Sequence, residues 1–474
     1  MIALTAAQIA QATGGVLINK GADALVINRV CTDSRSIESG CLFIALRGEL
    51  FDAHQFLEQA ETAGAALLLV DHKTGSKLPS IVVADTRIAL GLLGAYVKQK
   101  ISALKCAAIT GSNGKTTTKE LLSEILRQFC SAPQAVLATA GNFNNDIGLP
   151  LTLLRLTEQS RFAVLELGAN HIGEIAYTAQ LARPDVALIN NVMPAHLEGF
   201  GSLEGVATAK GEIWASLTEN GTGVVNLDAH FAPQYIQQLQ QQQTKIVTFS
   251  QTDQRANLFA SKIKFDSLGR ATFTLNLHSD HGIQATQVQL KIAGKHNISN
   301  ALAAACMALA LGCEVDIIRR GLESVTEVAG RVNCSQVSPL LSVIDDTYNA
   351  NPASVKAAID LLVQQEGAHL LILGDMGELG VYSQKEHIAM GEYAAEQGVE
   401  TLLTVGNLTA QTAQAFKAQG AGSVQHFADK ERLQEYLQNA LLRNSEKLTI
   451  LVKGSRSAKM EEIVAYIKQL LLKN

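Results

Sequence analysis

The sequence predicts an α/β protein of three domains, and three observations predict it. Its 474 residues amount to about three typical domain lengths. From residue 104 onward short apolar runs alternate with helical patterns, the signature of mostly parallel sheets. Period-two alternation at 258–292 then marks an added antiparallel piece, and strand–helix alternation restarts near residue 330. The expected divisions are 1–103, 104–328 and 329–474.

Composition sets the outer limits. Hydrophobic residues at 47% and charged residues at 18% exclude a disordered chain. The 39 Lys+Arg against 44 Asp+Glu leave a net charge of −5, so no basic field exists to hold a nucleic acid. Any bound phosphate must be gripped locally. The longest apolar run, 301–311, is too short to cross a bilayer and reads as a buried helix, so no membrane insertion is expected. The N-terminus lacks a basic segment before Lys20, which argues against a secretory leader. Seven cysteines without a C-x-x-C pair fit small buried side chains in a reducing cytoplasm. The expectation is a cytoplasmic monomer.

In the first region 42–46, 65–70 and 81–84 read as strands, the last two separated by a Lys/Gly/Ser/Pro turn. In the second, 106–110, 162–165, 186–189 and 223–226 are the clearest strands. A helix is expected over 119–129, and the Gln-rich stretch 234–243 reads as a solvated helix or loop. In the third, strands are expected at 341–345, 369–373, 401–405, 424–427 and 447–452, with helices between them. Its last helix places Met460, Ile463, Val464, Ile467 and Leu471 on one face, completing a second doubly wound domain.

The chemistry gathers at strand ends. Thr110-Gly111-Ser112-Asn113-Gly114-Lys115-Thr116-Thr117 follows a strand and precedes a helix. Backbone N–H groups of such a loop nest phosphate oxygens, helped by the helix N-terminus. Lys115 would reach the β/γ-phosphates of a nucleotide and the Thr116 hydroxyl would bind Mg²⁺. The full P-loop pattern needs Gly at position 109, where this chain has Ile109 and places the glycine at Gly111. The bland alternative is a Gly-rich turn with an incidental lysine. Glu166 ends the strand 162–165, like the acid that helps hold Mg²⁺ in nucleotide enzymes. His196 alone would read as structural, but its place at the same sheet edge as Glu166 and Lys115 favours a ligand. Gly141–Asp146, with Asn142 and Asn145, is either a turn built on Asn and Gly or a substrate contact. Together these features indicate a nucleoside triphosphate and Mg²⁺ without naming what is phosphorylated.

At these residues the chain resembles the Mur ligases, ATP-dependent amide-forming enzymes of peptidoglycan precursor synthesis. The shared marks are the loop Thr110-Gly111-x-x-Gly114-Lys115-Thr116, Glu166, His196, Lys210 and Asn297-x-x-Asn300 before an Ala-rich helix. Further matches run the length of the chain: 32–35, 141–150, 166–171, 190–201, 209–212, 330–332, 346–352, 373–379 and 453–456. Among members of the family they fit the enzyme that joins D-alanyl-D-alanine to UDP-N-acetylmuramoyl-tripeptide.

The resemblance implies a UDP-substrate domain, a central P-loop ATPase-type domain and a C-terminal Rossmann-like domain. It implies an acyl-phosphate route that releases ADP and phosphate. Residue by residue, it implies Thr116 and Glu166 on one Mg²⁺ and His196 on a second, with Lys115, His196 and Lys210 catalytic. Lys210 matches a lysine that is carbamylated in the family; the bland reading is a solvated lysine opening a helix over 211–217. ATP would be held by Gly111, Ser112, Asn113, Gly114, Lys115, Thr116 and Thr117. Asn297 and Asn300 would lie on the adenine side, Arg331 at the phosphates, and Asp346 or its neighbour Asp345 at the ribose. Ser34, Arg35, Arg47, Asp52 and His54 would contact the UDP-substrate, Asn142 and Asn145 the substrate or phosphate, and Asn349 and Asn351 the amine. Ala53 stands where the family usually has Gly, which would add strain if its φ were positive. The nearest rivals are the diamino-acid-adding ligase and folylpolyglutamate synthase; outside ligases, an ATP-hydrolysing switch. Because the nucleotide residues split between the second and third regions, ATP is expected at a domain interface that closes over it.

Overall fold

Runs of aliphatic residues, buried on both faces, form the central strands of the three larger of the four sheets in the computed structural model, which describes residues 1–18, 21–48, 51–194, 197–326, 328 and 330–472. In the first region five strands lie in the order Val16–Ile18, Ser80–Val82, Leu67–Val70, Leu42–Ile44 and Val30–Cys31. All neighbours are parallel except the first pair. A separate two-stranded ribbon joins Leu4–Thr5 to Val26–Ile27.

The second region holds a nine-stranded sheet. At its centre Lys105–Thr110 lies between Phe162–Glu166 and Val186–Ile189, parallel to both. Its far edge is antiparallel: Leu258–Phe265, Arg270–Ser279 and Gly282–Ala293 form the added piece expected at 258–292. The third region has six strands in the order Asn333–Ser338, Leu341–Asp346, Leu448–Lys453, Ala368–Gly374, Thr401–Val405 and Ser423–Phe427, antiparallel only at the first pair.

Several expectations need correction. The helix after the phosphate loop spans Lys115–Cys130, starting four residues before the expected 119 because Gly114 turns the chain directly into it. The Gln-rich stretch is the helix Ala232–Gln241, and it buries Tyr235 and Leu239 rather than lying wholly in solvent. No helix opens at 211: Leu203–Gly211 is already helical and a 3₁₀ turn, Glu212–Ser216, follows it. Among the described residues no helix is long and apolar enough to cross a membrane.

The cores explain which parts are joined. Leu42, Leu67, Leu90, Leu93 and Val97 of the first region pack in one continuous cluster with Leu149, Leu153 and Leu181 of the second. Close approach enforces this seam: a Cβ on Gly94, in the helix Thr86–Gln99, would stand 3.0 Å from the Pro150 Cα. Arg87 of the same helix pairs with Asp146. The third region instead carries its own clusters on the two faces of its sheet. Separating the first two regions would expose shared apolar surface, whereas the third-region clusters take in, among the described residues, one residue of the second, Ala293.

Candidate active site

The centre strand Lys105–Thr110 is the point where the connections reverse direction, to Phe162–Glu166 on one side and Val186–Ile189 on the other. Open α/β sheets bind ligands at such a point. Gly111 and Gly114, with φ of 152° and 76°, carry the chain around the loop. A Cβ on Gly114 would stand 2.5 Å from both Asn190 Nδ2 and Asn300 Oδ1, so only glycine fits.

The loop is braced from the neighbouring strand end. Asn191 Oδ1 accepts the Asn113 N–H at 2.8 Å and the Asn191 carbonyl accepts the Ser112 N–H at 3.1 Å. These two amides, expected to face phosphate, are therefore turned into the protein. The donors left to an anion begin at Gly114 and continue through the first turn of the helix, where Lys115, Thr116 and Thr117 lie and N–H groups lack intrahelical partners. Ser112 Oγ donates to the Met193 carbonyl at 2.9 Å. Asn190 Nδ2 donates to the Asn113 carbonyl and to Asn300 Oδ1, both at 2.9 Å. Asn300 Nδ2 donates to Asn297 Oδ1 at 2.8 Å, and Asn297 Nδ2 to the Ala293 carbonyl at 2.6 Å. Where the resemblance implies adenine-side contact, the structure uses both amides to brace the loop from behind.

Lys115 folds back so that its Nζ donates to the Gly111 carbonyl at 2.6 Å. Burial pulls its ammonium down to about 8, partly offset by Glu166, with Arg331 pushing the same way as burial. Thr116 Oγ1 donates to Glu166 Oε2 at 3.2 Å. Glu166 Oε1 is buried and accepts no hydrogen bond, although Lys119 Nζ lies 3.6 Å away. A hydroxyl beside a carboxylate with one uncommitted, buried oxygen suits a hard divalent cation such as Mg²⁺. Lys119, which sequence reasoning missed, is itself buried; it bonds the Thr139 carbonyl at 2.8 Å and Glu120 at 2.6 Å. Only its position one turn beyond Lys115 could have flagged it. His196 lies outside the described residues.

Lys210 is not solvated. It sits near the end of the helix Leu203–Gly211 with 3% of its surface exposed, and its Nζ is 6.0 Å from the Phe200 ring centre. Burial pushes its pKa well down, and the nearby Lys115 charge adds to this. The adjoining Glu212 accepts the N–H groups of Gly173 and Ala176, at 2.7 and 2.9 Å, tying this segment to the loop after Glu166.

The third region reaches into the same place. The Arg331 guanidinium stacks 4.2 Å from the Tyr348 ring centre, and its Nε is buried without a hydrogen-bond acceptor. Asp346 pairs with the buried Lys453 and accepts the Val332 N–H at 3.3 Å, so both its carboxylate oxygens are engaged. Asp345 Oδ1 accepts from the Thr347 hydroxyl at 2.6 Å. The Asn349 side chain is exposed on the same segment, while Asn351 caps the helix Pro352–Leu362 and meets Asn113 of the phosphate loop. On the exposed loop before Gly148, Asn145 Oδ1 accepts the Gly148 N–H at 2.8 Å, and the Asn142 carbonyl accepts the Asn144 N–H at 2.7 Å. The Asn144 carbonyl in turn binds the Gly168 N–H, setting this loop beside the Glu166 strand end.

The first-region residues collect at the ends of three parallel strands. Ser34 and Arg35 form a 3₁₀ turn after Val30–Cys31; Arg35 pairs with Asp33 at 2.7 Å, and its side chain is 84% exposed. Arg47 Nε pairs with Asp52 at 3.1 Å and its second arm with Asp71 at 3.2 Å. His54 Nδ1 bonds Asp52 at 2.6 Å, and Nε2 accepts the Asp71 N–H at 3.2 Å. The His54 backbone N–H and its ring hold the Asp52 carboxyl down to about 2. Asp71 was missed, though it directly follows a strand. Ala53 lies in the 3₁₀ turn Ala53–Phe56 and is absent from the positive-φ residues, so the strain foreseen for a non-glycine does not arise.

Comparison with known proteins agrees with this geometry. Residues 26–98 match the Mur ligase family catalytic domain, 109–308 the Mur ligase middle domain, and 330–456 the Mur ligase glutamate ligase domain. The chain is 43% identical over 469 residues to the UDP-N-acetylmuramoyl-tripeptide–D-alanyl-D-alanine ligase of Escherichia coli K12, covering 99% of both chains. A crystal structure of MurF from Acinetobacter baumannii superposes with a TM-score of 0.90 at 38% identity, over 98% of this chain and 99% of that one. MurF ligase from Thermotoga maritima in complex with ADP superposes at 0.79 with 27% identity, over 94% and 98%. The chain belongs to the Mur ligase family.

Proposed function

We propose that this chain joins D-alanyl-D-alanine to UDP-N-acetylmuramoyl-tripeptide at the expense of ATP, a step of peptidoglycan precursor synthesis. The observation that carries the reading is the convergence of Lys115, the Thr116–Glu166 pair and buried Lys210 at one strand-end site, with Arg331 arriving from the third region. Full-length similarity to ligases of this name supports it.

The chemistry follows from the electrophile. A carboxylate resists attack because its charge is delocalised, so it must first take the γ-phosphoryl group and release ADP. Lys115 and the free amides from Gly114 onward hold the phosphates in line and meet the charge that develops during transfer. Thr116 and Glu166 would hold Mg²⁺, which supplies Lewis-acid stabilisation of the phosphoryl oxygens. The amine of D-alanyl-D-alanine then attacks the acyl carbon. The tetrahedral oxyanion is stabilised by the same positive groups, phosphate leaves, and the nitrogen loses a proton to give the amide.

Lys210 has a separate task. Burial favours the uncharged form of the amine, the form that attacks CO₂ to give a carbamate and release a proton; the resulting anion could orient a metal where an ammonium would repel it. Residues 1–103 bind the UDP-sugar through the Arg47–Asp52–His54–Asp71 network. Residues 104–328 handle phosphate, and 329–474 deliver Arg331 and close the site against water. ATP consumption fits a cytoplasmic protein. The test is ADP release measured with each substrate omitted in turn. Release that requires both UDP-N-acetylmuramoyl-tripeptide and D-alanyl-D-alanine supports the ligase; equal hydrolysis with neither supports an ATP-driven switch.

A further inference from the structure

Asn113 occupies a phosphate loop, yet its side chain turns away from the phosphate-binding turn. Its main chain is held three ways: the N–H by Asn191 Oδ1, and the carbonyl by the Asn190 and Asn191 amides. Its own amide meets Asn351 of the third region reciprocally. Asn351 Nδ2 donates to Asn113 Oδ1 at 2.6 Å, and Asn113 Nδ2 approaches Asn351 Oδ1 at 3.4 Å. Both residues are partly buried.

On the other side of this pair the chain is stiff. Asn351 Oδ1 caps the helix Pro352–Leu362 by accepting the Ser354 N–H at 2.9 Å, within a complete capping box. Upstream, Lys453 binds both Asp346 and the Asn349 carbonyl, the latter at 2.9 Å. Asp346 accepts the Val332 N–H, the Tyr348 N–H donates to the Gly330 carbonyl at 3.0 Å, and the Tyr348 ring carries Arg331. A short, fully bonded path therefore runs from the Asn351 amide to the Arg331 guanidinium.

We infer that Asn113 and Asn351 form a latch, with Asn351 the positioning residue that registers the third region on the phosphate loop. The latch sets where Arg331 and the segment 346–352 stand relative to the bound phosphates. The inference rests on the ligase reading, and it assigns Asn351 to alignment between regions rather than to the amine itself. The shared core of the first two regions leaves the third as the part needing such a register.

The test uses the full chain with Asn351→Ser, Asn113→Ala and the double variant. Serine keeps a capping oxygen but lacks the amide, and Asn113→Ala touches no cap. Each single variant is expected to lower amide formation about three- to tenfold, the range for one hydrogen bond. KM for D-alanyl-D-alanine should rise more than KM for ATP, and ADP released per amide formed should climb above one as water reaches the acyl phosphate. The double variant should be no worse than the poorer single one. Multiplying effects in the double variant, or unchanged constants with one ADP per amide, would overturn the latch. A wild-type chain that forms no amide would overturn the ligase reading instead.

Discussion

Gly114→Ala tests how the phosphate loop is held. Gly114 has φ of 76°, and a methyl there would stand 2.5 Å from Asn190 Nδ2 and from Asn300 Oδ1. The left-handed backbone alone costs an alanine about 1–2 kcal/mol. The two amides cannot simply swing aside, because Asn190 Nδ2 also bonds the Asn113 carbonyl and Asn300 also bonds Asn297. Breaking two buried hydrogen bonds adds about 1 kcal/mol each, for a total of about 3–4 kcal/mol. If the loop reforms only on binding, this cost appears as ATP affinity weakened by at least about 100-fold. Gly312→Ala is the control: its φ is 93°, but nothing lies within 4 Å of the new Cβ, so only the backbone cost applies. Both variants are titrated with a fluorescent ATP analogue. Wild-type affinity in Gly114→Ala, or an equal loss in Gly312→Ala, would refute the brace.

Three further outcomes follow from the site. Lys210 should give a carbamate ¹³C signal when the protein is equilibrated with ¹³C-bicarbonate, and Lys210→Met should abolish it together with most activity; a fully active protein without the signal would exclude the carbamate. The Lys115 ammonium, held at about 8 in the free protein, should regain its proton when phosphate arrives, so ATP binding near pH 9 should take up protons. Calorimetry in buffers of different ionisation enthalpy reads this directly, and no proton exchange at that pH would contradict it. His54→Ala removes the ring's links to Asp52 and Asp71, keeping the backbone N–H on Asp52, and should raise KM for the UDP-substrate about tenfold while leaving ATP affinity unchanged. Because the folded Asp52 pKa of about 2, set first by the His54 backbone N–H and then by the ring, lies below its unfolded value, the ring's share of the stabilisation is full above about pH 4 and is lost as pH falls through 2. Acid titration of wild type and His54→Ala should therefore converge at low pH.

The strand ends were legible because parallel strands buried on both faces read as unbroken apolar runs, and the ligand residues follow them directly. Lys105–Thr110, Phe162–Glu166 and Val186–Ile189 are such runs, each leading into the loop, the acid or the Asn190–Asn191 pair. Asn333–Ser338 was not legible, since Asn-Cys-Ser-Gln-Val-Ser carries no apolar pattern and owes its strand to pairing at a sheet edge. Lys210 gave no sign of its burial: Ala-Thr-Ala-Lys-Gly reads as a solvated helix end, and the burial of its side chain, with Phe200 nearby, comes from tertiary packing. The partners of Ser112 and Asn113 were equally hidden, because Asn191 reaches them from 78 or more residues away. Local pattern locates a strand end; which amides remain free there is decided by the neighbouring strand.

Isotope transfer reports whether an acyl phosphate forms. UDP-N-acetylmuramoyl-tripeptide labelled with ¹⁸O in its terminal carboxylate is turned over with ATP and D-alanyl-D-alanine, and the released phosphate is examined by mass spectrometry. One carboxylate oxygen is expected in each phosphate formed with the amide, because the C–O bond to the phosphorylated oxygen breaks when the amine displaces it. Unlabelled phosphate alongside full amide formation would contradict it.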